Sequence, residues 1–233
     1  MAGILSILKI SMNFSLKGVV FDFDGVIVDS HPVHLRAWKK FFESTGKTVS
    51  EEELQFVLDG RRRDVILRYF LGDLSDETLV EYGRRKEQIF QMEAADVRPI
   101  DGLPEFLEEL EAAQLNLSVA SSGGRSRVES LLRKRDFKKR FRVIITGDQV
   151  ERGKPDPELF LRAARDLGLE PFELVAFEDA VSGVIAARSA GMKCIGIAPI
   201  DRAPSLLDAG AIHVVPDFRS MSYTKLRELF STG

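Results

Sequence analysis

The chain reads as an α/β protein with a doubly wound parallel sheet and an α-helical cap domain inserted after the first strand. Three observations predict this. Short apolar runs recur with helix-length segments between them. Acidic, hydroxyl or glycine residues follow those runs, as they do at the carboxyl ends of parallel strands. Residues 31–98 interrupt the alternation with consecutive helical patterns and no strand signal.

The strands come first. Gly18-Val19-Val20-Phe21 is apolar, β-branched and closed by acids and a glycine. Further strands are expected at Leu115–Ala120, Val143–Ile145, Leu174–Phe177, Cys194–Ile197 and Ile212–Val215. Helices are expected between them at Leu103–Ala113, Arg125–Arg135, Pro157–Leu167 and Ser182–Ala190, with Gly168 and Gly191 at C-cap positions. The insertion reads as His34–Thr45, Glu51–Leu58, Arg63–Phe70 and Glu77–Ala94, joined at Gly46, Gly60 and Gly72. Pro99 and Gly102 mark the return to the sheet. The expected division is an N-terminal extension at 1–16, a catalytic core at 17–30 and 99–233, and a cap domain at 31–98.

Bulk properties bound the function. The chain has 233 residues, 44% hydrophobic and 30% charged, which suits a packed core with an insertion. A formal net charge of −3 supplies no basic field for nucleic acid or anionic lipid, so a small molecule is the expected partner. One cysteine, Cys194, excludes an internal disulfide and fits a reducing, cytoplasmic setting. The apolar stretch Met1–Ile10 is too short to span a bilayer and lacks the basic flank of a signal peptide; a docking segment is one reading of it. No membrane association is expected, and a monomer is favoured.

Four motifs follow four of the strands, where a doubly wound sheet gathers its ligands. Asp22-Phe23-Asp24-Gly25 places two carboxylates two residues apart, one able to attack phosphorus and the other to move a proton. Ser121-Ser122-Gly123-Gly124 offers hydroxyls and free backbone N–H groups at a helix start, a cradle for phosphate. Gly153-Lys154-Pro155-Asp156-Pro157 holds a lysine ahead of a helix, where it would neutralise a phosphoryl oxygen. Glu178-Asp179 sets two acids side by side, a costly arrangement unless a cation offsets their repulsion. Oxygen donors of this kind suit Mg²⁺, with Asp22, the Asp24 carbonyl and Asp179 as ligands and Glu178 acting through a water. Each motif alone has a bland reading as a helix cap or a solvated charge; four in this order do not.

The set DFDGVIVDS, ASSG, GKPDPELF and FEDAVSGVIAARSAGM resembles the haloacid dehalogenase superfamily. Within it, the chain is similar to the helical-cap members of the β-phosphoglucomutase-like and sugar-phosphate phosphatase branch. The resemblance implies a Rossmann-like core, Asp22 as the nucleophile that becomes an aspartyl phosphate, and Asp24 as general acid/base. It implies Ser121 and Lys154 as phosphoryl ligands, with Ser122 and Gly123 in the same loop, and Asp179 beside Glu178 as metal ligands. Metal-free dehalogenases in the superfamily usually lack an acid at the position of Asp24, so phosphoryl transfer is favoured. In the cap, the resemblance implies that His34 and the Gly60/Arg63 pair align with positions that contact substrate, Arg63 as a fork for a distal phosphate, and Lys86 sits near another cap position rich in basic residues. Arg61 and Arg62 read as solvated, and Trp38 as a core residue of the cap.

The second-motif loop departs from the mutase pattern. Gly123 and Gly124 stand where the mutase has further phosphate-binding side chains, with Arg125 as the candidate replacement. The expected function is therefore a Mg²⁺-dependent phosphatase of a small phosphorylated metabolite, a sugar phosphate. An intramolecular phosphotransferase is the alternative. A non-catalytic regulatory protein on the same fold is a third reading, opposed by the intact acids and lysine.

Overall fold

The computed structural model describes residues 15–232, so the reading of the apolar leader as a docking segment lies outside the described residues. Strand β1 (Gly18–Phe21) leads out of the sheet into the cap helices α1 (His31–Ser44), α2 (Glu51–Leu54), α3 (Arg63–Leu71) and α4 (Asp76–Glu93). The chain then returns through α5 (Leu103–Ala112), β2 (Asn116–Ser121), α6 (Arg125–Lys134), β3 (Val143–Thr146) and α7 (Glu158–Leu167). It ends with β4 (Leu174–Glu178), α8 (Val181–Ser189), β5 (Lys193–Ile197), α9 (Ala203–Asp208), β6 (His213–Val215) and α10 (Tyr223–Thr232). The helix expected over Glu51–Leu58 is α-helical only to Leu54 and continues as a 3₁₀ turn from Gln55 to Leu58. Helices α9 and α10 were not among the expected elements. The second buries Leu226 and Phe230, four residues apart on one face.

All six strands are parallel, in the order β3-β2-β1-β4-β5-β6. From β1 the chain builds β2 and β3 on one side, then crosses back to add β4, β5 and β6 on the other. This reversal opens a crevice at the carboxyl ends of β1 and β4. Register makes it a single crevice: Phe21, the last residue of β1, lies opposite both Val119 and Phe177. Asp22, Ser121 and Glu178 therefore leave neighbouring strands at one level.

Side chains alternate across the sheet, and each face has its own core. Val19, Phe21, Val119, Val175 and Phe177 join one apolar cluster; Val20, Ala120, Ala176 and Cys194 join the other. Phe21 stacks on Phe177 with ring centroids 5.3 Å apart, and Phe177 meets Phe218 at 5.2 Å and Phe106 at 5.7 Å. This aromatic group lies directly beneath the site. Cys194 is fully buried, and burial pushes its thiol well above the usual range, so it is no nucleophile.

The cap has a third cluster, with Trp38, Phe41, Phe42, Ile66 and Leu67 buried in it. Trp38 stacks on Phe42 at 5.3 Å, as a core residue rather than an exposed platform. The two chain crossings between cap and sheet pair with each other: Val28 bridges Pro99, and Asp29 donates to the Arg98 carbonyl at 2.8 Å. No helix among the described residues is long and apolar enough to cross a membrane.

Removing the ring at the centre of the aromatic group should destabilise the whole core. Phe177→Ala is expected to cost about 3–5 kcal/mol, read from urea denaturation midpoints at unchanged m. A loss below ~1 kcal/mol would show that this group does not carry the sheet–helix packing.

Candidate active site

The site begins where β1 ends. Asp22 donates its backbone N–H to the Phe177 carbonyl at 2.9 Å, one residue beyond the paired strands. The chain then turns sharply at Gly25, whose φ is +80°. A Cβ there would lie 2.4 Å from Asp179 Oδ2 and 2.6 Å from His31 Nε2, so glycine alone fits both the turn and the approach. The turn delivers Asp22 and Asp24 to different partners.

Asp22 is buried and accepts a hydrogen bond from Lys154. The same ammonium also donates to Glu178. Burial would lower the Lys154 pKa, but Asp22 and Glu178 outweigh it and hold the amine above its ordinary range. Asp22 is pushed well up by burial and by Glu178, Asp179 and Asp24, against the pull of Lys154. Glu178 is also raised, chiefly by burial, although its Oδ-equivalent Oε2 accepts the Asp179 and Ala180 N–H groups at 3.1 and 3.3 Å.

Asp22, Glu178 and Asp179 each present a carboxylate oxygen to one point, with those oxygens within 4.8 Å of one another. All three are oxygen donors, the set that hard divalent cations take. Asp179 Oδ2 is buried without a well-aligned hydrogen bond, and its nearest cationic group is His31 Nε2 at 2.9 Å. Burial lowers the His31 pKa, but its contact with Asp179 outweighs this and raises it. The residues present fit a divalent cation.

Asp24 belongs to a second network. Its Oδ1 accepts Ser30 Oγ at 2.6 Å and Arg127 Nη1 at 2.7 Å, and its Oδ2 accepts Arg127 Nη2 at 2.6 Å. His34 Nε2 stands 3.2 Å from Oδ1. Burial would raise the Asp24 pKa; Arg127 and His34 override it and hold the carboxyl well below its usual range. Lys86, buried in the cap, donates to His34 Nδ1 at 2.9 Å. Burial and then Arg127 lower Lys86 to about 7, while burial and then Lys86 lower His34 to about 3.

Above these groups lies a cavity of about 440 Å³, roofed by the cap and within the ordinary range for small-molecule sites. Asp22, Asp24, Asp179, His34, Lys86 and Arg63 all face it. Ser121, Lys154 and Glu178 lie buried just beneath its lining. Ser121 Oγ accepts the Gly123 N–H at 3.0 Å, which leaves its own hydroxyl proton free to donate. Arg63 is exposed and has no ion pair or hydrogen bond among the described residues.

Three expectations change. Ser122 lines the cavity, but its hydroxyl donates across the cap interface to the Gly60 carbonyl at 2.6 Å, so it latches the cap rather than waiting for phosphate. Ser182 Oγ makes the equivalent bond to the Asp59 carbonyl. Arg62 is not a solvated charge: its Nη1 donates to the Val150 and Glu151 carbonyls at 3.0 and 2.7 Å and ties the cap to the core. Arg125 does not reach the cavity; it pairs with Glu129 at 2.9 Å, and its backbone N–H donates to Asp148. The arginine of this helix that enters the site is Arg127, two residues on. Glycine at 123 leaves room for it, since a Cβ there would lie 2.1 Å from Arg127 Nη2.

The chain is similar in sequence and fold to known proteins. The family model for haloacid dehalogenase-like hydrolases matches residues 19–197. A phosphorylated carbohydrates phosphatase of Thermotoga maritima is 32% identical over 206 residues, covering 86% of this chain and 94% of that protein. A β-phosphoglucomutase of Bacillus subtilis is 32% identical over 191 residues, covering 78% of this chain and 83% of that protein. The crystal structure of a family IA, variant 3 hydrolase from Entamoeba histolytica superposes with a TM-score of 0.83 at 28% identity, covering 92% of this chain and 99% of that one. A family match spanning most of the sheet, relatives at this identity and a shared fold lead to one conclusion: the chain belongs to the haloacid dehalogenase-like hydrolases.

Proposed function

We propose that this protein is a Mg²⁺-dependent phosphatase of a small phosphorylated metabolite, a sugar phosphate, with Asp22 as its nucleophile. The observation that carries the reading is the position of Asp22. It sits at the end of the central strand, gathered with Glu178 and Asp179, held by Lys154 and facing a cavity beside a second carboxylate. The names of the relatives, a phosphorylated carbohydrates phosphatase among them, support the same chemistry.

In the first half-reaction an Asp22 oxygen attacks phosphorus and the ester P–O bond breaks. Asp24, which must first take up a proton against the pull of Arg127 and His34, gives it to the departing oxygen and returns to a carboxylate. In the second, water attacks the phosphorus of the aspartyl phosphate, Asp24 takes the proton, and the bond to Asp22 breaks. Lys154 and the Ser121 hydroxyl would hold the transferring oxygens. Asp22, Asp179, the Asp24 carbonyl and Glu178 would hold the metal, Glu178 directly or through a water. A bound divalent cation there would favour ionised Asp22 and offset the repulsion between carboxylate and phosphate. Asp22 needs that help, because burial alone favours its neutral form.

Hydrolysis is favoured over mutase chemistry by the second-motif loop. The space a side chain at Gly123 would need is taken by Arg127, so that position offers no donor to a second phosphate. Intramolecular transfer is the second reading, favoured by Arg63, which faces the cavity with its guanidinium unpaired among the described residues. β-Glucose 1-phosphate separates the two. Release of free phosphate supports the phosphatase, whereas glucose 6-phosphate without free phosphate overturns it.

Asp22→Asn is expected to lower turnover of the best sugar phosphate in a substrate panel by at least ~1000-fold, with folding unchanged by circular dichroism. Retention of full turnover would end the nucleophile assignment. Chelation with EDTA is expected to abolish phosphate release, and added Mg²⁺ to restore it. Undiminished turnover by the metal-stripped enzyme would refute the metal requirement.

A further inference from the structure

Four carboxylates converge at the crevice, and each has a basic neighbour. Lys154 serves Asp22 and Glu178, and His31 faces Asp179. Asp24 is left to Arg127, which comes from α6 and lies only 6% exposed. The contact is a fork, with Nη1 on one carboxylate oxygen at 2.7 Å and Nη2 on the other at 2.6 Å. A planar guanidinium fixes both the place and the plane of a carboxylate in a way that an ammonium does not.

The same guanidinium touches the cap. It lies 5.0 Å from the Phe90 ring centroid, 3.3 Å from His34 Nε2 and, through Nε, 3.8 Å from Glu87. Glycine at 123 is what lets it pass. Arg127 thus spans core and cap at the carboxylate of Asp24.

We propose that Arg127 is the positioning residue of Asp24, holding its carboxylate at the cavity and out of the metal cluster, in register with the cap. This rests on the phosphoryl-transfer reading above. Without the fork, Asp24 is free to turn toward the carboxylate cluster of Glu178, Asp179 and Asp22, the last of which lies two residues away along the chain. With it, the proton acceptor and the nucleophile stay separate. When the ester bond breaks, the proton of Asp24 passes to the leaving oxygen as the Asp22–phosphorus bond forms. The carboxylate left behind is the species that Arg127 clasps here, ready to receive the proton of the attacking water.

Leaving-group dependence tests this. Hexose 6-phosphates lose a poor leaving group that needs a proton, whereas p-nitrophenyl phosphate loses one that departs without it. In the presence of Mg²⁺, Arg127→Met is expected to lower kcat/KM on the hexose phosphates by at least ~10-fold and on p-nitrophenyl phosphate by less than ~3-fold. Arg127→Lys, which keeps the charge and loses the fork, should show the same bias to a smaller degree. Adding Arg127→Met to Asp24→Asn should cause no further loss on the hexose phosphates, because both act through one group. Because both esters are read on one preparation, partial misfolding cancels in their ratio. Equal losses on the two esters, or losses that add to those of Asp24→Asn, would assign Arg127 to structure alone and overturn the proposal. If the wild-type enzyme turned over neither ester, the phosphatase reading itself would fall and this assignment with it. If it turned over both and the ratio did not move in either variant, only the Arg127 assignment would fall.

Discussion

The bridge from Lys154 to Asp22 and Glu178 is the contact on which the rest of the site depends. The sheet brings β1 and β4 side by side, and both end in acids. Without a buried cation between them, the two carboxylates would repel in a medium too poor in water to screen them. Lys154 reaches that point from the loop between β3 and α7, so three separated parts of the chain meet at one ammonium. Lys154 offsets that repulsion at the mouth of the crevice, although burial still holds the Asp22 carboxyl well above its usual range.

The cap completes what the sheet begins. It supplies His34 and Lys86 beneath the roof of the cavity, and it is fastened to the core by Ser122, Ser182 and Arg62 through backbone carbonyls. These bonds use the loops that already carry the phosphate and metal motifs. Closure of the cap and assembly of the site are therefore one arrangement of the same segments.

Much of this was legible in the sequence, because local chemistry and strand geometry agree. Asp22, Asp24, Glu178 and Asp179 follow apolar β-branched runs, and parallel strands can only bring such ends together. The cap helices were legible from their 3.6-residue periodicity. What escaped is what depends on helix phase and on packing between distant segments. Arg125 and Arg127 are alike in a linear reading; only the rotation of α6, with Val128, Leu131 and Leu132 on the sheet, sends Arg127 inward and leaves Arg125 with Glu129. Ser122 and Arg62 were misread because their partners are backbone carbonyls 62 and 88 residues away. Helix α9 has only six residues and was too short to announce itself by periodicity.

The central claim is that a covalent bond forms between Asp22 and phosphorus during turnover. Acid quenching in the first turnover, borohydride reduction and peptide mass spectrometry test it most directly, since reduction converts a phosphorylated aspartate to homoserine. The account predicts homoserine at position 22 in a sample quenched with substrate and Mg²⁺, and none without substrate. Intact aspartate at position 22 during turnover, or homoserine at another acid, would contradict it.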